Sequence, residues 1–426
     1  MVTNPGTETA PTFAHPLART RLRVETSEIA DSGPLLPLLD PSAPLLWSRS
    51  GDGMAGIGEV LRLEFSGPNR VSDAASAWRE LVGEASIVDQ VGVPGTGLIA
   101  FGTFAFADDS AETSVLIVPR VVVGHRGNRS WVTLVHAEGE PAASVEVAQR
   151  AFGDEFRVRL VPGELPPAAY QDAVAQAVAR IDAGELSKVV LARQIRGHVS
   201  PDADIRRVLD HLSRGYPDTW TFAVDGLVGS SPETLVRVAD GAVSARVLAG
   251  TASRGVDAAA DRGNAEALTH SEKDAEEHAL AVRSAVDALE PHTSTLEASA
   301  EPFTVKLPNL WHLATDLEGT VDDGSGALDL VAAIHPTAAV AGTPREAAVR
   351  VLAELEGFDR GRYAAPVGWI GADGDGEWAI ALRCAHVSPE GEITAWAGCG
   401  IVHDSDPAAE LAETVMKFRP IVDAFG

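Results

Sequence analysis

The stretch GLIAFGTFAFADDSAETSVLIVPRVVVGHRGNRSWVTLVH, residues 97–136, decides the fold class. It holds three apolar runs, Gly97–Phe106, Thr113–Val123 and Ser130–His136, separated by turn-forming residues. No spacer between them is long enough for a crossover helix, so these strands are expected to pair antiparallel. Working outward, strands are predicted at Gly58–Phe65, Lys188–Gly197, Trp220–Val224, Thr234–Ala239, Ala242–Leu248, Val367–Gly371, Glu377–His386 and Ile393–Val402. Helices are predicted at Ser72–Ala85, Ala168–Ala183 (stopped at Gly184), Ala265–Leu289, Pro344–Glu354 and Pro407–Phe425. The expected class is α+β, with large antiparallel sheets packed together and helices outside. Residues 1–20 are polar, carry Pro5, Pro11 and Pro16, and read as a loose tail; residues 21–426 read as one domain. Its parts, about 21–160 and about 165–426, meet at the Pro- and Gly-containing stretch Val161–Pro167.

Composition narrows the function. The 426 residues carry 34 Lys+Arg against 61 Asp+Glu, a formal charge of −27 that repels phosphodiester backbones and anionic lipid. No nucleic-acid or membrane partner is expected, and no apolar run is long enough for a transmembrane helix. The N-terminus lacks a basic segment followed by an apolar one, so a cytoplasmic protein is expected. Cys384 and Cys399 are too few for a disulfide framework and read as small core residues.

Several segments carry candidate chemistry. In the C-terminal helix, capped by Asp406 before Pro407, Glu410, Glu413 and Lys417 share one face, with Leu411, Val415 and Phe418 expected as the core stripe opposite. The residues allow a solvated charged face or a metal and anion site. Asp274 and Glu277 share a face in a second acidic helix and, with Glu413, offer hard oxygen ligands of the kind Mg2+ takes; His278 reads as a hydrogen-bonding helix residue. Lys188 stands at the mouth of a Val-Val-Leu strand, either snorkelling or desolvated as a base. Glu233, at a turn entering a β-branched strand, is either an exposed turn residue or a partly buried general acid. Val247–Thr251 ends a strand in small residues, and Gly398 and Gly400 flank Cys399, both places where a ligand can approach backbone. Arg383 lies on an otherwise apolar strand and needs an anionic partner, a protein carboxylate or a substrate one.

Ten ordered segments then resemble the chorismate-utilising enzymes: SKVVLAR (187–193), GSSPETLVRV (229–238), LAGTASRG (248–255), KDAEEHALAV (273–282), LWHLATDLEG (310–319), HPTAAVAGTPREAA (335–348), FDRGRYAAPVGWI (358–370), GEWAIALRCA (376–385), AGCGIV (397–402) and DPAAELAETVMKFRP (406–420). LLWSRSGDGMAGIGE (45–59) and GLIAFGTFAF (97–106) extend the likeness to about residue 45. Within the family, HPTAAV is most similar to the isochorismate synthases, which usually read HPTPAV; Ala338 replaces the second proline. Aminodeoxychorismate synthases tend to carry a nucleophilic lysine where this chain has Ala249, which argues against amine transfer.

The resemblance implies an anthranilate synthase component I-like fold and a Mg2+-dependent isochorismate synthase, an isomerase serving menaquinone or siderophore biosynthesis, with salicylate synthase as the alternative and an anthranilate or aminodeoxychorismate synthase component ranked after it. It implies Lys188 as the base activating water at C2 of chorismate and Glu233 as the acid at the C4 hydroxyl. It implies Glu277 and Glu413 as metal ligands, with Asp274 and Glu410 holding the metal's waters. Gly250, Thr251, His312, Tyr363, Arg383, Gly398, Gly400 and Lys417 are implied as substrate contacts. A monomer with neither a redox cofactor nor a glutamine amidotransferase partner is expected.

Overall fold

The computed structural model describes residues 21–140 and 148–426; the tail expected over residues 1–20 lies outside them. Two large, almost wholly antiparallel sheets dominate, one of thirteen strands and one of ten. Among the described residues a single parallel pair, Leu22–Ile29 with Ser86–Asp89, closes one edge of the larger sheet. One apolar core joins the sheets, with Trp47 and Met54 from the larger meeting Phe101, Trp369 and Trp378 from the smaller. Each fully buried Phe, Leu or Met in such a core contributes roughly 1.5–3 kcal/mol. Both sheets draw strands from either side of Val161–Pro167, and Val161 and Pro162 pair with Arg196 and Ile195 at the edge of the larger one.

Three segments expected as single strands are places where the chain passes from one sheet to the other. Thr113–Val123 divides into Ser114–Val118 in the smaller sheet and Val121–Arg126 in the larger. Pro119, between them, lacks the N–H a continuing ladder needs. Gly58–Phe65 shortens to Leu61–Phe65, because Gly58 at φ +63° turns the chain out of the preceding strand Asp52–Ile57. Glu377–His386 divides into Gly376–Ile380 and Cys384–Val387, and Arg383 sits in the crossing at φ +49° instead of on a strand. The predicted helix Ala265–Leu289 is also two, Ala258–His270 and Glu272–Leu289, because the Ser271 side chain accepts from the Asp274 N–H and starts a new helix. The strand expected to stop at Leu248 runs from Ala242 to Ser253 and pairs throughout with Leu310–Val321.

A carboxylate holds the sheets together. Glu377 is 3% exposed; its Oε2 accepts from Trp47 Nε1 (3.0 Å) and Trp369 Nε1 (3.2 Å), and its Oε1 from Arg126 and Arg237 (both 3.1 Å). Replacing it by leucine strands two indole N–H groups and two guanidinium donors. The Glu377→Leu variant is expected to lose about 3 kcal/mol of unfolding free energy in urea titration. A loss under about 1 kcal/mol contradicts this account of the interface.

Candidate active site

The cleft forms where the strand pair Lys188–His198 and Glu392–Ile401 meets the crossings and the helices Glu272–Leu289 and Pro407–Phe425. Lys188 is fully buried, and its Nζ lies 3.2 Å from Glu277 Oε1. The pair is an ion contact without hydrogen-bond alignment, and among the described residues this Nζ has no hydrogen-bond acceptor. Gly400, opposite Val190 in the ladder, makes room for both: a Cβ there would overlap Glu277 Oε1 and come within 3.0 Å of Lys188 Cε. Any side chain at 400 would push the pair apart.

Glu233 follows Pro232 where the chain leaves strand Leu227–Ser231 of the larger sheet for Thr234–Ala239 of the smaller. It is 4% exposed, so it is no surface turn residue. Burial pushes its carboxyl up to about 8, against the pull of a backbone hydrogen bond at Leu248 and of Lys188, Arg383 and Lys417. At neutral pH it is chiefly a neutral acid.

A second group of contacts organises the opposite wall. Gly250, at φ +81°, marks a bulge between Ala249 and Thr251 and turns its carbonyl towards His312 Nδ1 at 3.1 Å. Thr251 Oγ1 lies at 3.1 Å from the same nitrogen. Burial, then the charges of Arg383 and Lys417, depress the His312 imidazolium far below the ordinary range, so the ring is neutral. Its Nε2 accepts from Arg383 Nη2 at 3.1 Å, which leaves the proton on Nδ1. Arg383 has no carboxylate in hydrogen-bond contact, and its buried Nε has no partner among the described residues. Tyr363 stacks on Trp396, ring centroids 5.9 Å apart, and burial pushes its phenol up to about 12.

The C-terminal helix corrects the sequence reading of its faces. Glu410 is 2% and Lys417 9% exposed, whereas Val415 is 58% exposed. Phe418 is buried and Leu411 packs partly buried against the core as expected, but Val415 faces outward and the charged face points inward. Burial is tolerated because each charge has a partner. Lys417 Nζ lies 2.6 Å from Glu413 and donates to Gly398 O at 2.9 Å, and Lys273 Nζ lies 2.8 Å from Glu410. Burial alone would raise the Glu413 carboxyl, but Lys417 holds it below the usual range, and Glu413 in turn raises Lys417 although burial opposes it. Burial, then repulsion from Glu413, raises Glu410. Asp274 Oδ1 accepts from the Thr251 N–H at 3.3 Å. His278 bonds to Ala249 O (3.1 Å) and Thr315 Oγ1 (2.8 Å), a hydrogen-bonding helix residue as expected.

Glu233, Thr251, Glu277 and His312 line the cavity with Tyr363 and Arg383, and Gly250, Gly398, Gly400 and Lys417 complete that part of the wall. Lys188, Asp274, Glu410 and Glu413 stand behind it, Lys188 and Glu413 directly behind their partners Glu277 and Lys417. Sequence reasoning gave no role to Val190, Val340 or Arg360, which also face the cavity; an apolar or basic residue inside a motif carries no signal of facing a cleft. Glu277 on one helix and Glu410 and Glu413 on the other lie near Lys273 and offer the hard carboxylate oxygens a divalent cation takes, although each is here paired with a lysine. Cys399 lies in the same cluster as Glu410 and Glu413, but burial pushes its thiol up and keeps it protonated, a poor ligand.

Residues 42–426 match the family model described as chorismate binding enzyme. Isochorismate synthase DhbC of Bacillus subtilis (strain 168) is 37% identical over 297 residues, covering 66% of this chain and 73% of that protein. Isochorismate synthase EntC of Escherichia coli (strain K12) is 37% identical over 325 residues, covering 75% and 79%. The structure of MenF, the menaquinone-specific isochorismate synthase of Escherichia coli, superposes with a TM-score of 0.75 at 24% identity over 95% of each chain, a likeness of fold.

The raised Glu233 carboxyl has a thermodynamic consequence. A carboxyl that binds its proton more tightly when folded stabilises fully below its unfolded value, 4.5, and loses that contribution as pH rises through about 8. Glu233→Gln removes the titration. Urea unfolding is expected to show the variant more stable than the parent at pH 9 and to lose that advantage towards pH 5; equal pH dependence of the two proteins contradicts a buried neutral acid.

Proposed function

Because the chain belongs to the chorismate-binding enzyme family, we propose that it is a Mg2+-dependent isochorismate synthase that converts chorismate to isochorismate. The observation that carries this reading is a buried neutral carboxylic acid, Glu233, in the wall of the cleft, with a buried lysine, Lys188, directly behind Glu277 in the same wall, the two brought from different parts of the fold.

Chorismate is a dianion, and the cleft offers it cations and donors. The Arg383 fork and the Lys417 ammonium suit one carboxylate, with Tyr363 and the amides flanking Cys399 as further donors. The neutral His312 and Thr251 suit the ring and its substituents. Glu277 and Glu413 would hold the metal, with Asp274 and Glu410 on its waters; when bound, the cation supplies positive charge for the ring carboxylate. Lys188, entering as the neutral amine, takes a proton from water as its oxygen bonds to C2, and Glu277 at 3.2 Å steadies the ammonium so formed. Glu233 gives its proton to the C4 hydroxyl, which leaves as water as the ring double bonds shift. One water enters and one departs, and the proton returns from Lys188 to Glu233 between turnovers, so the net change is isomerisation. Acid and base are each worth about 10²–10⁴-fold.

The reading extends to a monomer and to work without an amidotransferase; Ala249 supports the latter, because aminodeoxychorismate synthases tend to carry lysine there. The free, buried Cys384 and Cys399 fit a reducing cytoplasm.

Purified protein with chorismate and Mg2+ is expected to accumulate isochorismate by chromatography; salicylate as the main enzymatic product contradicts this reading. Lys188→Ala and Glu233→Gln are each expected to lower kcat by about 10²-fold or more with the fold intact. Retained turnover in both variants contradicts the acid and base roles. In the parent, the limb of the rate profile that reports the acid should fall as pH rises through about 8. Glu413→Gln should raise the Mg2+ concentration needed for half-maximal rate, and an unchanged metal titration rejects Glu413 as a ligand.

A further inference from the structure

Strand Lys188–His198 is fully laddered to Glu392–Ile401 along one edge. Among the described residues its strand partners along the other edge lie only towards its ends, Lys188 and Val189 with Gly342–Thr343, and Ile195 and Arg196 with Val161–Pro162. The gap begins two residues beyond Lys188, beside the cleft. The Val190 N–H still donates to Ala341 O at 2.9 Å, but the next backbone groups would be costly if unpaired, and two side chains take up the Val190 carbonyl and the Ala192 N–H. Arg360 Nη2 donates to Val190 O, and the Ala192 N–H donates to Glu356 Oε1 at 2.7 Å.

The same guanidinium reaches further. Its Nη1 donates to Val340 O at 2.8 Å, and its Nε and Nη2 fork onto Glu356 at 2.8 and 2.6 Å. It lies over the rings of Phe106 (4.6 Å) and Tyr363 (5.8 Å). Arg360 and Glu356 are 3% and 4% exposed, and Val190, Val340 and Arg360 face the cavity. We propose that Arg360, oriented by Glu356, is a positioning residue for the isomerisation: it takes the place of a missing strand partner and locks the Lys188 strand, the Val340 wall and Tyr363 into one register. Most of its donors are committed to protein acceptors, so it does not bind the substrate's carboxylates. The proposal rests on the isochorismate synthase reading.

Arg360→Lys keeps the charge facing Glu356, but one ammonium cannot span Glu356, Val190 O and Val340 O. It is expected to lower kcat about tenfold or more while KM for chorismate stays within about threefold, since small misplacements of reacting groups act on the chemical step. Hydrogen exchange in the 188–193 segment is expected to quicken about tenfold, a readout independent of substrate. If that variant fails to fold, Arg360→Met combined with Glu356→Gln removes both charges, keeps an acceptor for the Ala192 N–H, and is expected to show the same loss in kcat. Unchanged kcat per folded molecule, with only the melting temperature lowered, overturns the proposal, as does unchanged exchange in the segment. Parent protein that forms no isochorismate sinks the functional reading instead.

Discussion

The Nζ of Lys188, wholly buried, and a carboxylate oxygen of Glu277 stand 3.2 Å apart, and they set the condition that the rest of the site must satisfy. Charges in such a place persist only when paired. Two further pairs, Lys417–Glu413 and Lys273–Glu410, repeat the solution on the neighbouring helix. The chain carries a formal charge of −27, yet its cleft is locally balanced, with Arg383 left over for an anion. Gly400 is part of the same constraint, because the pair occupies the space its side chain would need.

The remaining groups are delivered by sheet crossings. Glu233 and Arg383 both lie where the chain leaves one sheet for the other, and Arg383 holds a φ of +49° to do so. Sparsely populated backbone conformations in non-glycine residues are tolerated where the surroundings over-determine them. Here the sheets on either side fix both ends of each crossing, so a short, rigid segment can present an acid or a guanidinium to a cavity between layers. In the proposed reaction this separates base from acid: Lys188 rises from a strand of the larger sheet, and Glu233 enters from the crossing to the smaller.

Alternation of apolar and polar residues made the α+β class legible, and Asp406 before Pro407 announced the helix that carries Glu410, Glu413 and Lys417; its side chain does cap the first turn, accepting from the Ala408 and Ala409 N–H groups. Three other features were not legible. The burial of that helix's charged face depends on Lys273 and Gly398, which come from other elements. The crossing at Ala381–Arg383 has no proline or glycine to mark it, so an apolar run read as one strand. Leu310–Val321 carries Trp, Thr and acidic residues that blur its alternation, yet it is the strand that sets His312 against Thr251 and Arg383. Ordered motifs identified which residues belong together; only tertiary contacts show which stand in the wall of the cleft and which behind it.

The most direct test of the account follows an oxygen atom. If Lys188 activates water while Glu233 expels the C4 hydroxyl, isochorismate made in 18O-enriched water carries one solvent-derived oxygen at C2. Mass spectrometry of the product is predicted to show that single label. Product formed at full rate without solvent oxygen would mean that the original hydroxyl migrates, and would contradict the roles given to both residues.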